Sequence, residues 1–164
     1  MNAPAEHSVL FVCLGNICRS PLAEGVFLHL AEARGVRDRI HVDSAGTGAW
    51  HVGERPDPRS LDVAERNGVE LPGVARRVTP DDFHDFDRIV AMDRANLSDL
   101  EGLRPAGAKA ELHLLRDHDP EPEDGEVPDP YFGGDDGFAV VWRMVHRSCE
   151  ALLDEVVAAL DDAR

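Results

Sequence analysis

The sequence predicts an α/β fold, a single-domain three-layer sandwich with a central four-stranded parallel sheet and helices on both faces. Three observations predict it. Short apolar runs alternate with stretches of helical periodicity four times along the chain, the pattern of parallel strands joined by right-handed crossovers. The first run, "VLFVC" (9–13), is apolar without alternation, as a strand buried on both faces requires. A Gly15-Asn16 turn and a Ser20-Pro21 helix start follow it directly, giving a strand–loop–helix unit with a candidate phosphate-binding loop after the first strand.

The elements follow in order. In "SPLAEGVFLHLAEARG", Ser20 suits the N-cap, Pro21 the first helical position and Gly35 the stop, while Leu22, Val26, Phe27 and Leu30 share a face. "RIHVDSAGT" (39–47) reads as a second strand running into a Gly-containing loop, and "PRSLDVAERNGV" (58–69) as a helix closed by Asn67-Gly68. "FDRIVAMD" (86–93) is a third strand, residues 94–103 a helix, and "AELHLL" (110–115) a fourth strand. Residues 117–134 read as a long loop rich in Pro, Gly and acid. A helix over 135–162 carries Phe138, Val141, Trp142, Val145, Cys149, Leu152, Val156 and Leu160 on one stripe, which makes Cys149 a core residue. A short tail (1–7) and one domain (8–164) complete the expected organisation.

Composition narrows the function. A net charge of −15, with Lys109 the single lysine among seventeen basic residues, argues against nucleic acid or an anionic membrane as partner. Any attraction for an anionic substrate must be local and built on a particular arginine. Three cysteines, no basic n-region in "MNAPAEHS" and no long apolar run are the expectations of a soluble cytoplasmic protein without disulfides. The eight histidines show no metal-ligand spacing, so neither metal nor cofactor is expected.

"CLGNICRSP" (13–21) carries the chemistry. A strand-to-helix loop aims backbone N–H groups at a common centre, where the helix start adds partial positive charge. Such a nest holds a phosphate dianion and stabilises a thiolate. Arg19 can fork two hydrogen bonds to phosphate oxygens. Gly15 permits close approach, Asn16 tolerates a left-handed backbone, and Ser20 can donate to the Cys13 sulfur. The C-x5-R spacing alone has little force, since sixteen arginines and three cysteines produce a match by chance about one time in four. Its setting between strand and helix start gives it weight. No Gly-Lys-Ser/Thr occurs, so this is not a nucleotide P-loop.

"VCLGNICRSP", together with "DSAGTGAWHVG" (43–53), "FDRIVAMDRANLSDL" (86–100) and "DPYFG" (129–133), resembles the low-molecular-weight protein tyrosine phosphatases, in the family's order and over nearly the whole chain. The resemblance implies hydrolysis of phosphotyrosine in proteins through a phosphocysteine. Cys13 is then the nucleophile, and Arg19 with the loop residues Leu14, Gly15, Asn16, Ile17, Cys18 and Ser20 binds phosphate. Asp129 falls at the general acid/base position. Trp50 and Tyr131, and more weakly Phe132, would wall the cleft. Asn16 and Ser44 would support the loop, and Cys18 would either pair reversibly with Cys13 on oxidation or simply pack. Asp93 is either near the site or a helix cap, and His51 and Glu54, following Trp50 in sequence, would tune specificity. The implied partners are tyrosine-phosphorylated proteins, with inorganic phosphate and other oxyanions as inhibitors. The Ala/Arg/Asp-rich composition resembles a bacterial protein from a GC-rich genome, and the family resemblance then implies opposing tyrosine kinases in polysaccharide export or signalling.

One departure stands out. Many relatives carry histidine where this chain has Gly73, which puts the support of Asn16 in doubt. Two other chemistries share the loop. Thiol-linked arsenate reduction needs a cysteine relay, and none lies between Cys18 and Cys149. Phosphoarginine-specific relatives typically place threonine where this chain has Ile17. A non-catalytic phosphotyrosine-binding module is disfavoured because all three catalytic positions are filled.

Overall fold

The computed structural model describes residues 5–131 and 135–162. β1 (His7–Cys13), α1 (Arg19–Ala33), β2 (Ile40–Gly46), α2 (Pro58–Arg66), α3 (Asp82–Asp85), β3 (Arg88–Ala91), α4 (Arg94–Leu103), β4 (Glu111–Leu114) and α5 (Asp135–Asp162) follow in chain order. The four strands form one parallel sheet in the order β2-β1-β3-β4.

β1 lies inside the sheet and explains its layers. Val9 and Phe11 pack on one face with residues of α1, α2 and α5, and Phe11 meets Phe27 at 5.6 Å between ring centroids. Leu10 and Val12 point the other way, toward Phe83 of α3 and Leu100 of α4. A continuous apolar run is therefore what this strand needs. From β1 the chain moves outward to β2, then returns across β1 to β3. The carboxyl ends of β1 and β3 thus form the switch point at which open α/β sheets bind ligands.

Several boundaries differ from the expected ones. β1 extends back to His7 because Ser8 is tied to Asp87 through its N–H (2.9 Å) and its hydroxyl (3.2 Å). α1 starts at Arg19, so Ser20 lies inside the helix and does not cap it. The helix does stop as expected, with Gly35 at φ +72 just beyond its end. α3 and the 3-10 turns at Arg37–Arg39 and Leu115–His118 were not expected. Among the described residues no helix is long and apolar enough to cross a membrane.

Candidate active site

Cys13 ends β1 at the switch point and is only 2% exposed. The loop beyond it turns back through Asn16, whose φ of +58 is the left-handed conformation that asparagine tolerates. Its carbonyls are held from outside: Cys13 O accepts from Thr47 N (2.9 Å), Leu14 O from Gly48 N (2.9 Å) and Ile17 O from Asp57 N (2.8 Å). Gly46 makes this approach possible, since a Cβ there would lie 2.7 Å from Leu14 O. Among the described residues no protein acceptor takes the N–H of Gly15, Asn16, Ile17, Cys18 or Arg19. Carbonyls tied from outside and amides without a protein acceptor, between a strand and a helix start, are what an anion cradle requires.

Asn16 is the hub that sets this shape. Its Nδ2 donates to Ser20 Oγ (2.8 Å) and Ser44 Oγ (3.0 Å), and its Oδ1 accepts from Arg76 N (2.9 Å). Because Ser20 Oγ accepts from Asn16, its own proton is available to the Cys13 sulfur, 3.0 Å away. Both side chains stand behind the loop and do not line the cleft. Gly73, at φ +77, leaves no histidine to support Asn16, and the neighbouring segment does so through the Arg76 main chain.

Arg19 is buried at 2% exposure, with Nη1 donating to Asp93 Oδ2 (2.6 Å) and Val127 O (3.0 Å). Its Nη2 lies 3.5 Å from Asp129 Oδ2. Burial works against the guanidinium charge, but the sulfur of Cys13 and the carboxylates of Asp93 and Asp129 outweigh it and raise the pKa above its usual value. Asp93 serves both expected roles: Oδ1 caps α4 by accepting from Asn96 N (2.8 Å), while Oδ2 holds Arg19. Asp129 accepts from Tyr131 N through Oδ1 (3.0 Å).

Cys13, Leu14, Gly15, Ile17, Cys18, Arg19, Trp50, His51, Asp129 and Tyr131 line one open cleft. Trp50 is 73% and Tyr131 38% exposed, so both can offer a ring face to a ligand. His51, paired with Glu54, packs 6.1 Å from the Tyr131 ring; position in sequence hinted at its place but not at this contact. Arg59 backs the same wall, donating to Tyr131 O (2.9 Å) with its guanidinium over the Tyr131 ring (5.7 Å). Phe132 lies outside the described residues. Burial, then the charges of Asp57, Cys13 and Asp129, push the Cys18 thiol up to about 12. Among the described residues no group of His, Cys, Asp and Glu is placed to hold a metal ion.

Sequence reasoning missed Glu24. Helical periodicity puts it among polar positions, yet it is 7% exposed and accepts from Ser44 Oγ (2.7 Å), extending the chain Cys13–Ser20–Asn16–Ser44 inward. Burial pushes its pKa up to about 7 against the Ser44 bond and the charge of Arg76, with Asp43 adding to the rise. The folded state therefore keeps this proton to higher pH than the unfolded chain, whose value is 4.5, and stability falls as pH rises between the two. The full loss, roughly 3 kcal/mol, is present above the folded value. Glu24→Gln keeps an acceptor for Ser44 and removes the titration. At pH 8 it should melt about 6–12 °C above the parent, with little difference at pH 4.5. Parallel melting profiles across that range would overturn the assignment.

The profile of the low molecular weight phosphotyrosine protein phosphatases matches residues 8–162. A low molecular weight phosphotyrosine protein phosphatase of Schizosaccharomyces pombe is 49% identical over 131 residues, 79% of this chain and 84% of the relative. The crystal structure of a protein tyrosine phosphatase from Entamoeba histolytica, with Hepes in its active site, superposes at a TM-score of 0.89. That protein is 36% identical, with 93% of this chain and 98% of the other covered. A Drosophila arginine phosphatase superposes at 0.85 with 37% identity, covering 90% and 96%. Fold and loop together define a phosphatase of the cysteine-loop kind. The chain belongs to the low molecular weight phosphotyrosine protein phosphatase family.

Proposed function

We propose that this chain hydrolyses phosphotyrosine in proteins by two transfers at phosphorus. The Cys13 thiolate, held by the Ser20 hydroxyl, attacks phosphorus as the P–O bond to the tyrosine ring breaks. Arg19 and the loop amides stabilise charge on the equatorial oxygens. Asp129 gives its proton to the departing phenolate, which is a poor leaving group at neutral pH because phenol has a pKa of about 10. Asp129 then takes a proton from water as that water attacks the phosphocysteine, the P–S bond breaks, and phosphate leaves. The single observation that carries this reading is that Asp129, distant in sequence from Cys13 and Arg19, lines one cleft with them.

Asp129→Ala tests the acid directly. On phenyl phosphate kcat/KM, which reports the first transfer alone, should fall by about 10²–10³, while on p-nitrophenyl phosphate, whose leaving group needs no proton, the loss in kcat/KM should be at most about tenfold. Equal losses on the two esters would remove Asp129 from the role.

The likeness to an arginine phosphatase supports a second reading, hydrolysis of phosphoarginine. Ile17 on the loop, with Trp50 and Tyr131 beside it, favours an aromatic ester over a guanidinium. Rates on phosphotyrosine and phosphoarginine peptides of one sequence decide between them. Inorganic phosphate and vanadate should compete with either substrate. Cys18 completes the reading as the thiol that closes a disulfide on oxidised Cys13. With its pKa about 12, closure should be slow at neutral pH. A cytoplasmic place in bacterial tyrosine-phosphate signalling fits the composition, and substrate trapping with Asp129→Ala in a lysate would identify the phosphoproteins.

A further inference from the structure

The segment that delivers Asp129 holds itself by few bonds, Glu121 N to Asp119 Oδ1 (2.8 Å) and Glu126 N to Asp124 Oδ1 (3.0 Å) among them. Pro120, Pro122, Pro128 and Pro130 lack N–H donors, and six acids between 117 and 126 repel one another. From Asp119 to Val127 the backbone makes only three main-chain hydrogen bonds as donor among the described residues: Asp119 N to Arg116 O, Gly125 N to Pro122 O and Val127 N to Met92 O.

Arg94 ties it from the exposed side, its main-chain N–H donating to Glu126 Oε2 (2.7 Å) and its Nη1 to Asp124 O (2.9 Å), and Arg116 holds it from the buried side. Arg116 is fully buried beneath the segment, where an arginine is tolerated only if its donors are matched. Nη1 donates to Glu126 O (2.7 Å) and Nη2 to Glu121 O (2.9 Å), so one planar fork reads carbonyls at both ends of the acidic stretch. Nε lies 2.9 Å from Asp119 Oδ2, an ion pair whose direction is too poor for a hydrogen bond. Asp119 is itself buried and accepts from Arg147 Nε (2.6 Å) and Nη2 (3.0 Å), Ser148 Oγ (3.2 Å) and Glu121 N (2.8 Å).

The next residue after Glu126 connects this clamp to the cleft. Val127 N bonds Met92 O at the end of β3 (2.9 Å), and Val127 O accepts from Arg19 Nη1 (3.0 Å). Two residues later comes Asp129. We propose that Arg116 is a positioning residue for Asp129: by fixing Glu126 and Glu121 from below, it sets where the strap through Val127 places the carboxyl. This inference rests on the proton-transfer role given to Asp129 above.

Lysine at 116 keeps a charge for Asp119 but cannot fork two carbonyls. A displacement of the acid by about 1 Å can reduce a rate by up to about 10². For Arg116→Lys, kcat/KM on phenyl phosphate should fall about tenfold or more, and on p-nitrophenyl phosphate by less than about threefold. In the Asp129→Ala background the same substitution should have no further effect on phenyl phosphate, because a misplaced acid and a missing acid are one defect. A purely structural role would instead reduce both esters alike and remain additive with Asp129→Ala. Either result overturns the inference.

If Asp129→Ala shows no leaving-group dependence, the acid assignment falls and this inference with it. If Asp129→Ala shows it and Arg116→Lys does not, only the role of Arg116 falls. Should Arg116→Lys not fold, Arg147→Gln decides. It loosens Asp119 from the half-exposed side and should shift the ratio of the two rates about threefold in the same direction. An unchanged ratio there overturns the proposal.

Discussion

Cys13→Ser should fold, bind phosphate and vanadate, and hydrolyse p-nitrophenyl phosphate at least about 10⁴-fold more slowly than the parent. The sulfur is buried at the end of β1 and meets Ser20 Oγ at 3.0 Å, a bond that a hydroxyl can also make. The cradle's shape depends on Asn16, Ser44, Arg76 and Gly46, none of which bonds the substituted atom directly. Anion binding therefore survives, and phosphate should still raise the melting temperature by mass action. A serine hydroxyl is not ionised near neutral pH, so it lacks the nucleophile's charge when phosphorus arrives. Turnover within tenfold of the parent would mean that another group attacks, and the covalent route would be wrong.

The contrast between Cys13 and Cys18 shows how far residue type and spacing carry. Both thiols lie in the same nine-residue stretch, and only their surroundings separate them. Cys13 faces Ser20 and Arg19 carries a charge toward it; Cys18 is buried against the charges of Asp57 and Asp129. The strand, the turn at Asn16 and α4 over Arg94–Leu103 were legible because each is announced by local chemistry: an apolar run, a residue that accepts φ +58, an Asp93 cap.

What was not legible depends on partners distant in sequence. Ser20 has the sequence of a helix cap, but Asn16 and Cys13 both engage its hydroxyl, and α1 begins one residue earlier. Glu24 and Arg116 look like solvent-facing charges on a helix and in a loop. Each is covered only when β2 or the acidic segment packs over it. The support of Asn16, doubtful when Gly73 is read alone, comes from an Arg76 main-chain N–H that no side-chain motif can announce.

Arg19→Lys should lower kcat by roughly 10³ while weakening phosphate inhibition by only about tenfold. The guanidinium does several jobs at once in this structure: it holds Asp93 Oδ2 at 2.6 Å and Val127 O at 3.0 Å, and stands 3.5 Å from Asp129 Oδ2. A lysine head can still pair with Asp93, so the fold should persist. It presents one point of charge where arginine presents a plane with two parallel donors. Ground-state phosphate is tetrahedral and is satisfied largely by charge and by the loop amides. At the transition state the three equatorial oxygens flatten into a plane and carry more of the charge, and the fork matches that shape better. The loss must then fall mainly on the rate and less on binding. If lysine instead lowered inhibitor affinity and rate by the same factor, Arg19 would be binding phosphate without favouring the transition state, and the cradle's amides would have to supply the difference.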